Sequence, residues 1–201
     1  ADMAKAVGFE MNIPAEAVLV ASTGVIGKQL PMEVILKGIK ELPKNLGDDE
    51  ASATLAAEAI MTTDTRSKQV AVSVEIGGKT VTIGGMCKGS GMIHPNMCTM
   101  LCFITTDCAI SKDLLQKALS NCIDDTFNMI SVDGDTSTND TVLLLANGMA
   151  GNEEITEENE DYNKFFEALY YINEELSKKI AGDGEGCTCL FEVKVQNALS
   201  K

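Results

Sequence analysis

The chain has 201 residues, 45% of them hydrophobic, and a formal net charge of −14 at pH 7. This length and apolar fraction suit one globular lobe with a sizeable core. The negative charge argues against nucleic acid and anionic membranes as partners, because both require a positive protein surface.

Cysteine number and apolar patterning bear on the cellular compartment. No apolar run reaches the roughly 18 residues that a membrane-spanning helix requires. Residues 1–5 lack the basic flank and apolar core of a signal peptide. The seven cysteines favour a reduced, cytoplasmic location over a disulfide framework. Because the chain begins without methionine and ends directly after a strand-like run, we expect it to be part of a longer gene product.

The first 61 residues predict mainly helices. Residues 1–8 are typical of the end of a helix, closed by Gly8. Residues 17–21 form a short apolar run with strand character. Pro31 suits the first position of a helix that extends to about residue 42. Asp48 and Asp49 then precede an alanine-rich helix ending near residue 61, where their charges favour its N-terminus.

The remaining residues alternate between strands and helices. The spacing predicts strands at 70–74, 80–83, 100–105, 141–146 and 189–195, the first two joined by a hairpin at Gly77 and Gly78. A helix is predicted from Ser111, as N-cap, to about residue 128, and a second one after the acidic run 153–161, ending near residue 180. The fold class is therefore α+β, in one lobe over residues 1–201 without a clear linker.

Most short motifs that suggest a site fail on spacing. Gly89-Ser90-Gly91 matches neither a phosphate loop nor a nucleophile elbow and predicts a turn. The loop 133–140 does not fit a calcium loop, because Thr138 stands at the glycine position and Leu144 at the glutamate position. Cysteine spacing fits no zinc site, so no metal is predicted and most cysteines are interpreted as buried small hydrophobes.

Three further features have structural interpretations when they are considered alone. The acidic run 153–161 is typical of a solvated face. His94 has no partner that spacing reveals and is interpreted as structural. Thr99, at the start of an apolar run, is by itself an ordinary β-branched strand residue.

The segment from Lys88 to Leu101, Lys-Gly-Ser-Gly-Met-Ile-His-Pro-Asn-Met-Cys-Thr-Met-Leu, resembles the self-cleavage segment of the ornithine acetyltransferase family, also called glutamate N-acetyltransferase. Four further segments resemble motifs of that family in the same order. They are residues 21–27 (Ala-Ser-Thr-Gly-Val-Ile-Gly), 59–65 (Ala-Ile-Met-Thr-Thr-Asp-Thr), 132–140 (Val-Asp-Gly-Asp-Thr-Ser-Thr-Asn-Asp) and 182–188 (Gly-Asp-Gly-Glu-Gly-Cys-Thr).

The resemblance implies an αββα sandwich and a precursor that cuts itself between Cys98 and Thr99. Residues 1–98 would then end the α chain and residues 99–201 would begin the β chain, and the cleaved pieces would form a heterotetramer. The implied activity is acetyl transfer from N-acetylornithine to glutamate in arginine biosynthesis. No cofactor is implied, although some members of the family also accept acetyl-coenzyme A as acetyl donor.

The resemblance also implies the roles of individual residues. Thr99, once freed as an N-terminus, would be the nucleophile, with its own α-amino group as base. Thr23 and Gly24 would form the oxyanion hole. The substrate-binding residues would be Thr62, or Thr63 by a one-residue slip, together with Thr99, Lys88 for the substrate's carboxylate and Glu185 for its amine.

The sequence departs from the family pattern in two places. Cys98 stands where relatives usually carry alanine, and the tryptophan-containing segment of the family's C-terminal region is absent. Two alternatives therefore stay open: an amidohydrolase or aminopeptidase of related architecture, in which water resolves the acyl-enzyme, and a non-catalytic fragment of the transferase.

Overall fold

The computed structural model describes residues 1–94 and 100–197. The described residues form five α-helices and four strands, joined by loops and short 3-10 turns. The helices are α1 (Asp2–Met11), α2 (Met32–Glu41), α3 (Glu50–Ala59), α4 (Lys112–Asp124) and α5 (Glu160–Ala181). The strands are β1 (Lys68–Ile76), β2 (Lys79–Lys88), β3 (Leu101–Thr106) and β4 (Thr141–Ala146).

The four strands make one sheet in the order β1-β2-β3-β4. β1, β2 and β3 are antiparallel neighbours, whereas β4 lies parallel to β3. A parallel pair needs a long crossover, and α4 supplies the helix of this connection. The α+β class is thus confirmed, and cleavage before residue 99 would fall on the connection between β2 and β3.

One face of the sheet carries the core. Side chains alternate between faces along a strand, and the buried set on one face packs against α5, whose apolar stripe includes Phe165, Leu169 and Ile172. α4 packs against α5. The opposite face of the sheet is partly solvent-exposed: Ser73 and Leu145, for example, are exposed.

Gly85 lets α5 lie close to the sheet. A Cβ at this position would lie 2.9 Å from Leu176 Cδ1 and 3.3 Å from both Ile104 Cγ1 and Ile172 Cγ2. We expect Gly85→Val to lower the free energy of unfolding by about 1–3 kcal/mol, the usual cost of overpacking. Urea unfolding at pH 7 measures this change.

The neighbouring Gly84 is the matched control for that substitution. Its side of the strand faces away from α5, and a Cβ there would be 3.9 Å from Ala71 Cβ, which is an ordinary contact. Gly84→Ala is therefore expected to leave stability unchanged or slightly raised, because alanine restricts the unfolded chain more than glycine does. Equal losses in both variants would contradict this account of the α5 contact.

Several predicted elements are confirmed. The turn of the β1–β2 hairpin lies at Gly77 and Gly78. Their φ angles of 55° and 71° are the left-handed values of a type I′ turn. Asp49 caps α3 by accepting a hydrogen bond from the Ser52 backbone N–H. The strand predicted at 141–146 has the bounds of β4, and Ser111 is the N-cap residue of α4, without a side-chain bond.

Three predictions are wrong. α1 continues past Gly8 to Met11 and ends at Asn12, which takes the left-handed conformation itself. Residues 17–21 and 189–195 form no strand, and Leu19 and Phe191 are exposed. A strand needs a neighbour to pair its backbone N–H and C=O groups, and within the described residues neither segment has one.

The remaining structural expectations concern cysteines, the acidic run and membranes. Of the cysteines in the described residues, Cys87, Cys102, Cys108 and Cys122 are buried, whereas Cys187 and Cys189 are exposed. Most of the acidic side chains at 153–161 are solvated, as predicted. Nowhere in the described ranges does a helix have both the length and the apolarity needed to cross a bilayer.

Candidate active site

Lys88, a predicted substrate ligand, lies at the end of β2 with only 4% of its surface exposed. Among the described residues, no hydrogen bond or salt bridge reaches its ammonium group. Burial lowers the pKa of Lys88 below its ordinary value, opposed by the negative charges of Asp64 and Glu185. A buried ammonium with no close partner is costly, so Lys88 is suited to receive an anionic group of a ligand.

Glu185 lies beside this lysine on the loop that follows α5. Its backbone N–H donates to the Ser90 carbonyl over 2.6 Å. Its carboxylate lies over Gly91, where an added Cβ would be 2.8 Å from Glu185 Cδ. The glycine at 91 therefore makes room for the acidic side chain, and the predicted cation-binding and carboxylate-binding residues meet at one place.

The structure distinguishes the two neighbouring threonines that sequence left open. Thr63 Oγ1 lies 2.6 Å from Ser90 Oγ, in a hydrogen bond that joins the 59–65 segment to the β2 end. Thr62 uses its backbone N–H to bond Asp64 Oδ2 over 3.1 Å, and no hydrogen bond of its hydroxyl to a described residue is found. Thr63 thus contacts the site framework through its hydroxyl, although both threonines are exposed.

A buried charge cluster, formed by Asp64, Lys68 and Asp183, stabilises the segments that carry the candidate site residues. Lys68 is 1% exposed, and its Nζ lies 2.6 Å from Asp64 Oδ1 and 2.6 Å from Asp183 Oδ2. Lys68 begins β1 and Asp183 follows α5, so the cluster joins the edge strand to the loop of Glu185. The short charge-assisted bonds fix that loop in place.

Asp64 and Asp183 also accept backbone hydrogen bonds. Gly89 N–H donates to Asp64 over 2.7 Å, and Thr65 donates to Asp183 through its backbone N–H over 3.0 Å and through its hydroxyl. Burial opposes ionisation of both carboxyls, but the hydrogen bonds that they accept outweigh it. The largest of these effects come from Gly89 and Lys68 at Asp64, and from Lys68 at Asp183. The pKa of each is therefore lowered, so both are anionic at neutral pH.

An open cleft of about 510 Å³ adjoins the charge cluster. Its walls include Thr63 and Thr65 on one side and the loop from Gly182 to Cys187 on the other. The Arg66 guanidinium donates to the Gly182 carbonyl over 3.0 Å at the rim. Within the described ranges, no group of three or more histidine, cysteine, aspartate or glutamate side chains could hold a metal ion.

Thr23 and Gly24 lie between α1 and α2, where the chain has no regular secondary structure. A Cβ at Gly24 would approach only Leu30 Cδ2, at 3.7 Å. In the part of the chain that the structure describes, no hydrogen bond joins either residue to Lys88, Ser90 or Glu185. The structure does not bring the predicted oxyanion pair to this site, and its role stays a prediction.

Cys98 and Thr99 lie outside the described residues, but the chain on both sides of them is held by aspartates. Asp133 accepts hydrogen bonds from the backbone N–H groups of Met92, at 2.6 Å, and Ile93, at 2.9 Å. Asp140 accepts from the backbone N–H of Met100 over 3.0 Å. The loop 133–140 that resembled a calcium loop thus binds backbone N–H groups on both sides of the predicted cleavage point.

The four motifs at 59–65, 88–94, 132–140 and 182–188 therefore form one connected region in space. The motifs at 132–140 and 182–188 also lie against each other, since a Cβ at Gly184 would lie 2.7 Å from Val132 Cγ1. Comparison with known protein families matches residues 1–201 to the ArgJ family. The chain belongs to the ArgJ family. The family expected from the five sequence motifs is thereby confirmed.

Individual ArgJ proteins support the assignment. The arginine biosynthesis bifunctional protein ArgJ of Thermotoga neapolitana is 56% identical over 98% of this chain and 49% of its own length. The protein of the same name from Lactococcus lactis is 56% identical over 96% of this chain and 48% of its own. The chain thus spans about half the length of the curated relatives it matches.

A solved structure is also similar to this ArgJ-family chain. It is the crystal structure of the arginine biosynthesis bifunctional protein argJ from Bacillus halodurans, which is 52% identical. The match covers 43% of this chain and 40% of that chain, with a TM-score of 0.42.

Sequence reasoning missed Lys68, Asp183 and the roles of Asp133 and Asp140 in this ArgJ-family chain. Lys68 had no periodic or motif signal of its own. Asp183 lay inside a motif in which only Glu185 was singled out. A signal existed for the loop 133–140, because aspartates of turn-rich loops commonly accept backbone N–H bonds.

Proposed function

We propose that this chain is the self-cleaving part of an N-acetyltransferase that moves an acetyl group from N-acetylornithine to glutamate. Family membership supports the proposal, and so does the meeting of Lys88 and Glu185 beside the segment that leads to Thr99. The observation that carries it is the buried ammonium of Lys88, which has no hydrogen bond or salt bridge within the described residues and lies near the acidic side chain of Glu185. An amino-acid ligand presents one carboxylate and one amine, which suit this pair.

Self-cleavage would begin with attack of the Thr99 hydroxyl oxygen on the carbonyl carbon of Cys98. A C–O bond forms, the peptide C–N bond breaks, and the hydroxyl proton passes to the departing nitrogen. Water then hydrolyses the resulting ester, which gives the carboxylate of Cys98 and returns the hydroxyl of Thr99. The free α-amino group of Thr99 can then act as the base that a weak hydroxyl nucleophile needs.

Acetyl transfer would use the same hydroxyl twice. Its oxygen attacks the acetyl carbon of N-acetylornithine while the α-amino group takes the proton and delivers it to the leaving ornithine amine. The amine of glutamate then attacks the acetyl ester, which forms N-acetylglutamate and restores the hydroxyl. Two easier steps replace one difficult transfer, and each passes through an oxyanion that Thr23 and Gly24 would stabilise.

The remaining roles follow from charge and position. Lys88 would bind the substrate's α-carboxylate and Glu185 a cationic amine, while Thr62 or Thr63 would donate a hydrogen bond from the cleft wall. Acetyl-coenzyme A is a second acetyl donor to be tested. The protein would act in arginine biosynthesis in the cytoplasm.

We also propose the assembly that goes with this activity. The partly exposed sheet face opposite α5 would pack against a second sheet, giving an αββα sandwich. Its apolar side chains, Phe103 and Leu143 among them, are only half-buried and support such a cover. Residues 1–98 and 99–201 would stay associated after the cut, in a heterotetramer of these pieces.

An assay on the protein made from its complete gene tests the proposed reaction. Labelled N-acetylornithine is supplied with and without glutamate, and the products are separated. N-acetylglutamate formed only when glutamate is present supports the transferase. Acetate as the sole labelled product would instead support an amidohydrolase. Activity of the complete protein, together with inactivity of residues 1–201 alone, would identify this chain as a non-catalytic fragment.

We expect Lys88→Met to raise KM for N-acetylornithine about 10- to 100-fold, because a hydrogen bond to a charged group contributes about 1.5–3 kcal/mol. Lys88→Arg, which keeps the charge, should retain part of the affinity. Initial rates over a range of substrate concentrations measure both variants. An unchanged KM in Lys88→Met would contradict the assignment of this lysine to the carboxylate.

A further inference from the structure

The loop 133–140 forms hydrogen bonds with the chain on both sides of the predicted cut. We propose that Asp133 and Asp140 are positioning residues for self-cleavage. This inference rests on the proposed function, since it requires the bond between Cys98 and Thr99 to be broken. It assigns a purpose to a motif whose aspartates accept hydrogen bonds from backbone N–H groups on both sides of that bond.

The upstream side is held through both carboxylate oxygens of Asp133. Oδ2 accepts from Met92 N–H over 2.6 Å, and Oδ1 accepts from Ile93 N–H over 2.9 Å. The Ile93 carbonyl in turn accepts from Val132 N–H over 2.9 Å. Burial opposes ionisation of Asp133, but these backbone bonds and one from Asp135 outweigh it and lower its pKa, so the acceptor is a full carboxylate at neutral pH.

The downstream side is held through both backbone groups of Met100. Its N–H donates to Asp140 Oδ1 over 3.0 Å, and its carbonyl accepts from Thr141 N–H over 3.2 Å. The side chain of Met100 is 1% exposed and belongs to the core. The nitrogen that Asp140 binds is bonded directly to the carbonyl carbon of Thr99, so this hydrogen bond fixes the residue next to the nucleophile.

Holding both sides matters because the attack is intramolecular. Only the six residues 94–99 separate Ile93 from Met100. The hydrogen bonds to Asp133 and Asp140 set the distance between these two ends. Orientation of reacting groups is among the largest contributions to the rate of such reactions. Loss of the hydrogen bonds on either side is therefore expected to slow the attack of the Thr99 hydroxyl on the carbonyl of Cys98.

The two aspartates differ in what they hold after the cut. Asp133 then holds the end of the first piece, whereas Asp140 holds the second piece, next to the nucleophile itself. Both are therefore needed for cleavage, and Asp140 alone also bears on acetyl transfer. A merely structural role would not divide in this way between the two reactions.

The test follows cleavage during cell-free synthesis of the complete protein, by intact mass at successive times. We expect Asp133→Asn, which puts an amide N–H₂ against a backbone N–H, and Asp140→Ala to lengthen the half-time by about tenfold, the scale of a lost hydrogen bond between a backbone N–H and a side-chain oxygen. Asp135→Asn is the matched control, because this exposed carboxylate has no hydrogen bond to a described residue.

Two further readouts distinguish positioning from general damage. Asp140→Asn keeps an acceptor oxygen and should cleave near the wild-type rate, and the cleaved Asp140→Ala protein should turn over more slowly than cleaved Asp133→Asn. Thermal unfolding, compared with wild type, identifies a variant that has lost its fold. If Asp140→Ala is such a variant, the cleavage rate of Asp140→Asn tests the role of this position instead. Wild-type cleavage rates in Asp133→Asn and Asp140→Ala, or slow cleavage in Asp140→Asn, would overturn the inference. A wild-type protein that stays uncut would overturn the proposed self-cleavage itself.

Discussion

Thr99→Ala is expected to leave the protein as one uncut polypeptide and to abolish acetyl transfer. Alanine has no hydroxyl, so neither the ester of self-cleavage nor the acetyl ester can form. The rate of transfer should fall by at least about 10³-fold, the scale on which enzymes lose activity when a nucleophile is removed. Intact-mass measurement of fresh protein reports the cut, and the N-acetylornithine assay reports the transfer.

Thr99→Ser is the control for that experiment, because serine keeps the hydroxyl and loses only a methyl group. We expect it to be cut and to retain part of the activity. Two pieces that meet at Cys98 and Thr99 in wild type and serine variant, but not in the alanine variant, would establish self-processing. Cleavage of Thr99→Ala at the same bond would show that another group, or another protein, makes the cut.

Lys68→Met is expected to lower the free energy of unfolding by about 3–5 kcal/mol at pH 7, the usual result of removing one partner from a buried ion pair. Asp64 and Asp183 would remain buried next to each other without the ammonium that now lies 2.6 Å from each. A typical domain has a total stability of only about 5–15 kcal/mol. The variant should therefore be severely destabilised, and urea unfolding measures by how much.

The pH dependence of this loss has a definite sign. In wild type the pKa values of Asp64 and Asp183 are lowered, so their contribution is present above the unfolded pKa of about 3.9 and is lost as pH falls through the folded value. In Lys68→Met, burial without the ammonium should raise both pKa values. The destabilisation is then largest at neutral pH and shrinks as the carboxyls protonate on acidification.

Lys79→Met is the matched control for the lysine substitution. Lys79 begins the adjacent strand β2, is exposed, and has no salt bridge within the described residues. Its replacement should change stability by no more than about 0.5 kcal/mol, as for most surface positions. Equal, pH-independent losses in the two variants would contradict the importance of the buried charge cluster.

The sequence was most informative where local physics decides the structure. Paired glycines at 77 and 78 select one hairpin turn, and Asp49 before an alanine-rich run selects a helix start, so both were predictable. The alternation of valines along β1 likewise reports a half-buried strand. Residues 17–21 are a short apolar run and residues 189–195 alternate as β1 does, but a strand forms only when a neighbouring strand is available.

The candidate site was predictable only in part. Lys88 and Glu185 came from a family resemblance, and the structure places them together. Asp64, Lys68 and Asp183 could not be grouped in advance, because Lys68 and Asp183 lie 115 positions apart along the chain. Spacing in sequence carries no information about such contacts, which arise only when α5 packs across the sheet.

The place of β3 within the sheet has a consequence for the cleaved protein. β2 belongs to residues 1–98 and β3 to residues 99–201, and the two strands are hydrogen-bonded neighbours from Ile83 to Lys88. α5, from the second piece, covers β1 and β2 of the first. The two products of the cut would therefore be interlocked halves of one hydrophobic core, and neither could leave without unfolding the other. Cleavage would change the covalent connectivity of the protein while leaving its tertiary structure as one cooperative unit.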